Sequence, residues 1–301
     1  MSSVSVVISV FSIERANHVL DCIESLKRQT IQPKDIVVVL DPDESLIAYY
    51  HKLLDSSVKL VISDAFGLSS ARNKGISYCD TEIVAFIDDD ATAEPDWLCK
   101  LVNNFSNPSI IGFGGRIIPL WPSKPPNWFP AELYWIVGCS YQGLPTKKAF
   151  IRNPIGCNMA FRRHVFEKAG YFSTTIGRVG NVLMGHDDTE FGIRATSKLL
   201  DTKIVYDPEA IVYHRVSANR VSLRYVIRRS YSEGFSKAFV TSHQKYNNTL
   251  GTEKDYFLNI LSGIPKMLIY GDVKTGFLRC WTLWVATAMV FFGYAIGSRS
   301  S

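Results

Sequence analysis

The sequence lacks the motifs that define several common classes of enzyme. Its 301 residues contain no GxxxxGK[ST] loop and no GxSxG motif, and no glycine fingerprint follows the first apolar run. The sequence therefore gives no indication of a P-loop NTPase, an α/β-hydrolase or a dinucleotide-binding oxidoreductase. The six cysteines form no CxxC pair, which favours free thiols in a reducing compartment. No basic segment precedes the N-terminal apolar run, so no signal peptide is predicted.

Acidic residues are scarce in the C-terminal part of the chain. The whole sequence carries a net charge of +5, whereas residues 215–301 alone have a surplus of eight positive charges, so residues 1–214 are net negative. This asymmetry predicts a basic C-terminal surface that faces phosphates or anionic lipid, and no nucleic-acid partner. Apolar residues make up 47% of the chain, enough for a sizeable core and too many for general disorder.

Strand and helix patterns alternate in the first third of the chain, which predicts an α/β fold with a doubly wound sheet. Beyond residue 107 the pattern changes, and residues 119–130 are rich in proline and are predicted to form a loop. The predicted strands cover residues 4–10, 35–40, 58–62, 82–87, 158–161, 203–206 and 210–213, and the predicted helices cover residues 15–28, 44–54, 69–79 and 187–199.

A long uncharged segment lies close to the C-terminus. Cys280–Gly297 has 18 residues without a charge, or about 27 Å of helix. A membrane association through residues 277–298 is predicted, either as one span or as a helix in the membrane plane. Basic residues precede the segment and only Arg299 follows it, which predicts a catalytic body on the cytoplasmic face of the cell membrane. The alternative is a helix buried against the body.

Three consecutive carboxylates follow an apolar strand at Phe86-Ile-Asp88-Asp89-Asp90. Ligands of open α/β sheets bind at the carboxyl ends of strands, and residues two apart in an extended chain point the same way. Asp88 and Asp90 are therefore candidate ligands for a divalent cation, Mn²⁺ or Mg²⁺, that bridges a diphosphate. A solvated acidic turn is the alternative.

Three further motifs have both a functional and a structural interpretation. Asp187 and Asp188 lie where a helix begins and are either capping residues or a catalytic pair with Asp188 as general base. His214 ends a short strand and is either a metal ligand or a core histidine. Ala71-Arg72-Asn73-Lys74-Gly75 offers cations for a phosphate or nucleobase, or is an exposed basic helix face.

In this order and spacing, the motifs resemble glycosyltransferase family 2, whose enzymes use nucleotide sugars and have the GT-A fold. The resemblance also rests on Gly156-Cys-Asn-Met-Ala-Phe-Arg162 and on Tyr206-Asp-Pro-Glu-Ala, and it covers about residues 4–215. It implies a mixed sheet flanked by helices, with a nucleotide-sugar-binding half (1–107), an acceptor-binding half (108–215) and a helical, basic, membrane-associating C-terminal region (216–301).

The resemblance also implies a role for each matching residue. Asp188 would take the proton of the acceptor hydroxyl beside Asp187, and inversion at the anomeric carbon would follow. Asp41 would contact the uracil base, with Pro42 in place of a usual second Asp and Asp43 as a substitute. The other implied nucleotide-sugar contacts are Val10, Glu14, Arg15, Arg72, Asp88 and Asp89, and the implied metal ligands are Asp90, Asp88 and His214.

The acceptor is the least specified part of the prediction. Arg228, Arg229 and Lys237 form a basic helix face, which is either solvated or a surface for a lipid-linked phosphate acceptor. Asn158 is also an acceptor-binding candidate. Phe11-Ser-Ile-Glu-Arg15 and Val39-Leu-Asp-Pro-Asp43 resemble a subgroup that adds sugars, including glucuronic acid, to dolichyl-phosphate-linked glycans.

Other functions remain open at this point. A cell-envelope polysaccharide or lipopolysaccharide transferase is one alternative, and an inactive GT-A-like scaffold is another. A nucleotidyltransferase is a third, although the basic glycine-rich loop it needs after the first strand is missing. For a UDP-glucuronate donor, a basic residue near the sugar is expected, and Arg116, Arg152 and Arg162 are the candidates.

Overall fold

The structure is a computed structural model that describes residues 2–175, 185–243 and 273–300. These residues divide into two compact units. The first unit contains residues 2–118, 145–175 and 187–214, and the second contains residues 119–144, 185–186, 215–243 and 273–300. The second unit therefore combines the chain from residue 215 onward with residues 119–144 and 185–186, and the predicted division into domains at residue 215 stays a prediction.

Within the described ranges, nine strands form one mixed sheet. The order across the sheet is β3-β2-β1-β4-β8-β6-β9-β5, and β7 pairs with β9. The strands are β1 (Val4–Val10), β2 (Asp35–Leu40), β3 (Lys59–Ile62), β4 (Ile83–Asp88), β5 (Ala91–Ala93), β6 (Ile110–Leu120), β7 (Ala149–Ile151), β8 (Asn158–Arg162) and β9 (Lys203–Arg215).

Helices connect most of these strands. In the first unit they are α1 (Ala16–Lys27), α2 (Glu44–Leu53), α3 (Leu68–Ser77), α4 (Trp97–Asn104), α5 (Arg163–Ala169) and α6 (Asp187–Lys198), and in the second unit they are α7 (Leu223–His243) and α8 (Val273–Ser300). A 3₁₀ turn at Ile13–Arg15 joins β1 to α1.

The parallel part of the sheet brings the ends of its strands to one edge. β1 pairs in parallel with β2 and with β4. In this register Val10 lies opposite Leu40, and Ser9 lies opposite Asp88. The residues that follow β1, β2 and β4 therefore share an edge, as expected for a ligand-binding edge of an α/β sheet.

An aromatic core holds α5 and α6 against the sheet. Phe86 of β4 and Phe161 of β8 pack with Phe166, Phe172 and Phe191. Their ring centroids lie 4.6–6.1 Å apart, mostly in edge or tilted arrangements. Such pairs add to the stabilisation that burial alone provides, and they fix the start of α6 relative to β4.

The prediction of two short strands at residues 203–206 and 210–213 is wrong, because one 13-residue strand covers both. The strand continues through Asp207 and Pro208, and its two halves pair with different strands. Residues 204–206 pair with β7, and residues 212–214 pair with β5. The Asp207 carboxylate is buried and accepts a hydrogen bond from Asn104, so a sequence typical of a turn becomes an anchored part of the strand.

Close helix packing characterises the second unit. α7 and α8 approach each other at Gly234 on α7 and at Gly293 and Gly297 on α8. A Cβ atom on Gly234 would overlap the carbonyl oxygen of Val290, and one on Gly293 would overlap that of Tyr231. The two backbones therefore meet without intervening side chains, as in other small-residue helix contacts.

The substitution Gly234→Ala tests this contact. We expect it to lower the free energy of unfolding of the second unit by about 2 kcal/mol, because backbone atoms of α8 must move to admit the methyl group. Chemical denaturation followed by circular dichroism measures the change. The half-buried Ser232 on the same helix is the control position, and a Ser232→Ala variant as unstable as Gly234→Ala would contradict the packing argument.

Candidate active site

The three aspartates after β4 do not share one role. Asp88 is the last residue of β4, and its side chain is 32% exposed. Asp89 and Asp90 are buried in the turn that leads to β5. Arg15 lies 2.6 Å from Asp89 and 3.0 Å from Asp90. Burial and the Asp90 carboxylate raise the pKa of Asp89 to about 7.

This arrangement corrects the prediction for Asp89. Its carboxylate points to Arg15 inside the protein, so it is not accessible for a contact with a nucleotide sugar. The Arg15 guanidinium is likewise occupied by two carboxylates and stacks on Phe11, with 4.6 Å to the ring centroid. The contacts of Arg15 with Asp89 and Asp90 therefore fix the conformation of the acidic turn.

A histidine from β9 completes the acidic site. β5 pairs with β9 so that Ala91 lies opposite His214. His214 Nε2 is consequently 3.2 Å from Asp90 Oδ1 and 4.0 Å from Asp88 Oδ2. The three side chains predicted as metal ligands therefore lie close together, with His214 next to the acidic turn.

Cys157 also belongs to this site, although the sequence analysis did not select it. One ligand atom each from Asp88, Cys157 and His214 lie within 4.8 Å of one another. Cys157 follows Gly156 just before β8, so it comes from a different part of the chain from either partner. A search for closely spaced ligands in the sequence cannot find these three residues together. The position of Cys157 directly before a buried strand is the sequence signal that could have marked it as a candidate.

The donor set fits a divalent cation. Asp88 Oδ2 and His214 Nε2 are 4.0 Å apart, a separation that one ion with bonds of about 2.1 Å can bridge. Carboxylate and imidazole suit Mn²⁺, and oxygen atoms of a bound diphosphate can complete its shell. Cys157 is a softer ligand than Mg²⁺ or Mn²⁺ prefers, so we regard it as a neighbour of the ion position. Asp90 Oδ1 lies 3.2 Å from the same His214 Nε2 and is therefore also placed to bind the ion, while Asp90 Oδ2 contacts Arg15.

Arg72 joins the acidic site to the start of α6. Its guanidinium donates to Asp187 at 2.7 Å and lies 3.8 Å from Asp88. The side chain is buried over the ring of Phe172. A Cβ atom at Gly156 would lie 2.5 Å from Arg72 Nη2, so only glycine leaves room for the guanidinium there. Arg72 is not on an exposed basic helix face, which removes the structural alternative.

The two aspartates that begin α6 have different environments. Asp187 is buried and accepts hydrogen bonds from Arg72 and Ser69. Asp188 is partly exposed, and its Oδ2 accepts the backbone N–H of Gly156 at 2.9 Å. Its Oδ1 accepts the N–H of Thr189 at 2.7 Å. Asp188 is thus the fixed and accessible carboxylate of the pair.

Asp41 lies where the nucleotide-base prediction placed it, at the end of β2. Its N–H donates to the Val10 carbonyl, and its Oδ1 accepts the N–H of Gly67, which begins α3. Burial raises the pKa of Asp41, and the hydrogen bond from Gly67 opposes the shift. Asp43 instead caps α2 through the N–H of Leu46, so it does not replace the missing second Asp. Glu14 is exposed on the 3₁₀ turn after β1.

The structure contradicts the acceptor-binding prediction for Asn158. This side chain is fully buried, and its oxygen accepts the Trp97 indole N–H. Its amide nitrogen donates to the carbonyl oxygens of Arg116 and Ala210. Both ends of the amide are satisfied inside the protein, so Asn158 joins β8 to its neighbours and does not reach an acceptor.

Arg162 is likewise not a sugar-binding candidate. Its guanidinium bonds to Glu82 and to the carbonyl oxygens of Ile110 and Phe105. It pairs in the sheet with Ile83, at the opposite end of β4 from Asp88. Arg116 is exposed and Arg152 is half-buried, so these two remain the candidates for a contact with a sugar carboxylate.

Two of the three basic residues predicted on α7 belong to an ion cluster in the second unit. Arg229 and Lys237 lie 3.1 Å and 3.3 Å from the carboxylate of Glu233, and His186 Nε2 lies 2.9 Å from it. Arg228 is exposed. Burial alone would raise the pKa of Glu233, but attraction to His186, Lys237 and Arg229 outweighs it and holds the pKa well below its usual range.

The substitution Glu233→Gln tests the structural role of this cluster. We expect it to lower the free energy of unfolding by about 3 kcal/mol at pH 7, because three cationic or polar partners lose their carboxylate. Since the folded pKa is depressed, the stabilisation is present above about pH 5 and lost as the pH falls. Denaturation at several pH values measures it. The exposed pair Arg163–Glu167 supplies the control Glu167→Gln, and an equal loss there would contradict the assignment.

These features together define a class of enzyme. A mixed sheet with a carboxylate–histidine cluster at the end of β4 and an accessible aspartate at the start of a following helix fits a glycosyltransferase. The family model for glycosyl transferase family 2 matches residues 5–170, which is more than half of the chain. This chain belongs to glycosyl transferase family 2.

The chain is also similar in sequence to individual proteins of glycan biosynthesis. The chain is 31% identical to the glucosyl-dolichyl phosphate glucuronosyltransferase of Haloferax volcanii over 300 residues, covering 98% of this chain and 96% of that protein. It is 28% identical over 171 residues to the succinoglycan biosynthesis protein ExoM of Rhizobium meliloti, covering 56% of this chain and 50% of that protein.

A solved structure shows the same fold. The mannosyltransferase PcManGT of Pyrobaculum calidifontis, in complex with GDP-Man and Mn²⁺, superposes with a TM-score of 0.65. The match covers 99% of this chain and 87% of that chain, at 15% sequence identity. The fold of this protein is therefore GT-A, a mixed sheet flanked by helices and followed by a C-terminal helical extension, and the chain is a glycosyltransferase.

Proposed function

We propose that this protein transfers a sugar from a UDP-sugar, with UDP-glucuronate as the first candidate, to a hydroxyl group of a polyprenyl- or dolichyl-phosphate-linked sugar. The observation that carries the proposal is that Arg72 contacts both Asp88 and Asp187, and so connects the candidate cation site to the Asp187–Asp188 pair. The choice of donor and acceptor follows the relative that matches along nearly the whole chain, and a UDP-hexose is the second candidate donor.

In this proposal the divalent cation would be held by Asp88 and His214 together with Asp90, whose Oδ1 lies 3.2 Å from the same His214 Nε2. When bound, the cation neutralises charge on the diphosphate. Arg72 contributes a second positive charge at the same place, where negative charge develops as the bond between the anomeric carbon and the diphosphate oxygen breaks. Asp41 contacts the uracil at the end of β2.

Asp188 is the proposed general base. It removes the proton from the acceptor hydroxyl while the hydroxyl oxygen forms a bond to the anomeric carbon. The diphosphate leaves from the opposite face, so the configuration at that carbon inverts and no covalent enzyme intermediate forms. The N–H groups of Gly156 and Thr189 fix the carboxylate, and the Arg72–Asp187 ion pair fixes the start of its helix.

The same proposal includes a place at the membrane. In the described part of the chain, one helix, Val273–Arg299, is long and apolar enough to cross a bilayer. A lipid-linked acceptor requires the enzyme to work at the membrane surface, and the basic residues around this helix favour a catalytic body on the cytoplasmic face. Of the three basic residues predicted to bind the acceptor phosphate, Arg228 is the exposed one.

Nucleotide preference separates this function from its rivals. We expect the purified protein with Mn²⁺ to bind UDP-sugars more tightly than nucleoside triphosphates in calorimetry. Tighter binding of a triphosphate would favour a nucleotidyltransferase, and no binding of either would favour an inactive scaffold. Transfer to a soluble polysaccharide primer, with no transfer to a lipid-linked sugar, would instead favour a cell-envelope polysaccharide transferase.

A further inference from the structure

A thiol lies at the candidate cation site, next to its carboxylate and imidazole groups. Asp88, Cys157 and His214 each offer one ligand atom, and these atoms all lie within 4.8 Å of one another. The Asp88 side chain is partly exposed, whereas Cys157 and His214 are buried. The group therefore combines an oxygen, a sulfur and a nitrogen donor, and Asp88 is its accessible member.

The sheet brings these three residues together from separate parts of the chain. β4 and β8 are antiparallel, with Ile87 opposite Asn158, so the next residues at this end of the two strands are Asp88 and Cys157. Residues that lie opposite each other in an antiparallel pair have their side chains on the same face, about 5 Å apart. β9 adds His214 through its pairing with β5. The register of the sheet therefore sets the distances within the group.

The backbone on both sides of Cys157 is held by its neighbours. Gly156 donates its N–H to Asp188 Oδ2 at 2.9 Å. The Asn158 side chain is buried and accepts the indole N–H of Trp97 at 2.8 Å. The Cys157 backbone thus has a defined position before any ion binds, and such preorganisation is what an effective metal ligand needs.

The donor types and their separations suit Zn²⁺. Zinc in proteins binds thiolate, imidazole and carboxylate with bonds of about 2.0–2.3 Å, which places the ligand atoms of a tetrahedral site about 3.5 Å apart. Asp88 Oδ2 and His214 Nε2 are 4.0 Å apart, so a shift of about half an ångström in the partly exposed Asp88 side chain gives this spacing. Oxygen ligands suit Mn²⁺ and Mg²⁺, whereas a thiolate selects softer ions such as Zn²⁺.

We propose that this position is also a zinc site, in which Asp88, Cys157 and His214 bind Zn²⁺ and the thiolate increases the preference for Zn²⁺ over Mn²⁺. The Cys157 thiol releases its proton to solvent as the zinc–sulfur bond forms. The inference rests on the proposed function in one respect, because Asp88 and His214 are ligands for both ions, and the two ions therefore exclude each other. Metal binding requires neither donor nor acceptor, so it can be tested separately from sugar transfer.

The first test compares the metal affinities of the full chain and its Cys157→Ser variant. Zn²⁺ affinity is measured by competition with a chromophoric chelator, and Mn²⁺ affinity by calorimetry. We expect the substitution to weaken Zn²⁺ binding about a hundredfold, because the thiolate ligand is lost, and to change Mn²⁺ affinity less than about threefold. Unchanged Zn²⁺ affinity would overturn the proposal. Equal losses for the two ions would overturn it as well, since Cys157 would then support the site without selecting the ion.

Cys79→Ser is the matched control for this variant. Cys79 is also buried in the first unit, and its thiol donates to the carbonyl oxygen of Gly75. Burial raises the pKa of this thiol to about 12, so it is a poor source of thiolate. We expect wild-type affinities for both ions. A loss of Zn²⁺ affinity as large as that of Cys157→Ser would contradict the assignment of zinc to the Asp88–Cys157–His214 group.

The second test uses the wild-type protein, so it does not depend on the folding of a variant. Co²⁺ accepts the same nitrogen, oxygen and sulfur ligands as Zn²⁺, and a cobalt–thiolate bond gives a charge-transfer absorption band. We expect this band to appear when Co²⁺ is added and to disappear after addition of Zn²⁺ or of a large excess of Mn²⁺. The absence of the band would overturn the proposal, and so would a band that excess Mn²⁺ leaves unchanged. Zinc binding by a protein that transfers no sugar with Mn²⁺ would leave this inference standing and refute the proposed function.

Discussion

Replacing Asp188 with asparagine is expected to reduce sugar transfer by about a thousandfold while the affinity for the UDP-sugar changes less than threefold. A general base contributes roughly this much to the rate. Asparagine is nearly the same shape, and its one acceptor oxygen can keep one of the two N–H contacts, that of Gly156 or that of Thr189, so we expect the loop to keep its structure. The donor contacts through Asp88 and Arg72 remain. Single-turnover transfer and calorimetric titration of UDP measure the two quantities.

The matched control for this variant is Asp201→Asn. Asp201 is exposed and lies shortly after the end of α6. Its backbone is left-handed, φ 61°, a conformation that asparagine tolerates well. We expect it to behave like wild type. Equal losses of transfer and of UDP affinity in Asp188→Asn would show that this residue holds the site together and is not the base.

Replacing Asp88 with asparagine is expected to lower transfer at least a thousandfold and to remove the dependence of UDP binding on Mn²⁺. In the proposed cation site the accessible ligand is the Asp88 carboxylate, 4.0 Å from His214, and a neutral amide binds a hard cation poorly. Arg72 retains its ion pair with Asp187, so the fold should be preserved. Titration of UDP with and without Mn²⁺, together with circular dichroism, measures both effects.

Asp96→Asn is the control for Asp88→Asn. Asp96 directly precedes α4, its carboxylate forms an exposed pair with Lys100, and such pairs contribute little. We expect normal Mn²⁺ dependence in this variant. Binding of UDP to Asp88→Asn that still increases with Mn²⁺ as in wild type would contradict the assignment of Asp88 as a metal ligand.

The part of the candidate site at the ends of β2 and β4 could be predicted from the sequence, because its residues stand where apolar strands end. Asp41 follows β2 and Asp88 ends β4, and parallel pairing brings such positions to one edge. The pattern could not separate Asp88 from Asp89, since the chain turns after Asp88 and directs Asp89 to Arg15. Local alternation describes an extended chain and fails where the chain bends.

Residues whose role depends on distant partners were not predictable. Cys157 reaches Asp88 and His214 only through the sheet. Asn158 looked like a polar residue of a binding motif, whereas the structure uses its amide to join Trp97 to two carbonyl groups. Part of the basic face of α7 is instead an ion cluster, because His186, which lies far earlier in the chain, contacts Glu233. Sequence shows which groups are polar, and packing decides what they bind.

Release of UDP from UDP-glucuronate, measured with purified protein and Mn²⁺ in the presence and absence of a polyprenyl-phosphate-linked glucose, tests the central claim most directly. The account predicts release that depends on the lipid-linked acceptor and is lost in Asp188→Asn. Release from a UDP-hexose alone would change the donor and keep the mechanism. No acceptor-dependent release from any UDP-sugar by folded protein would contradict the proposed function.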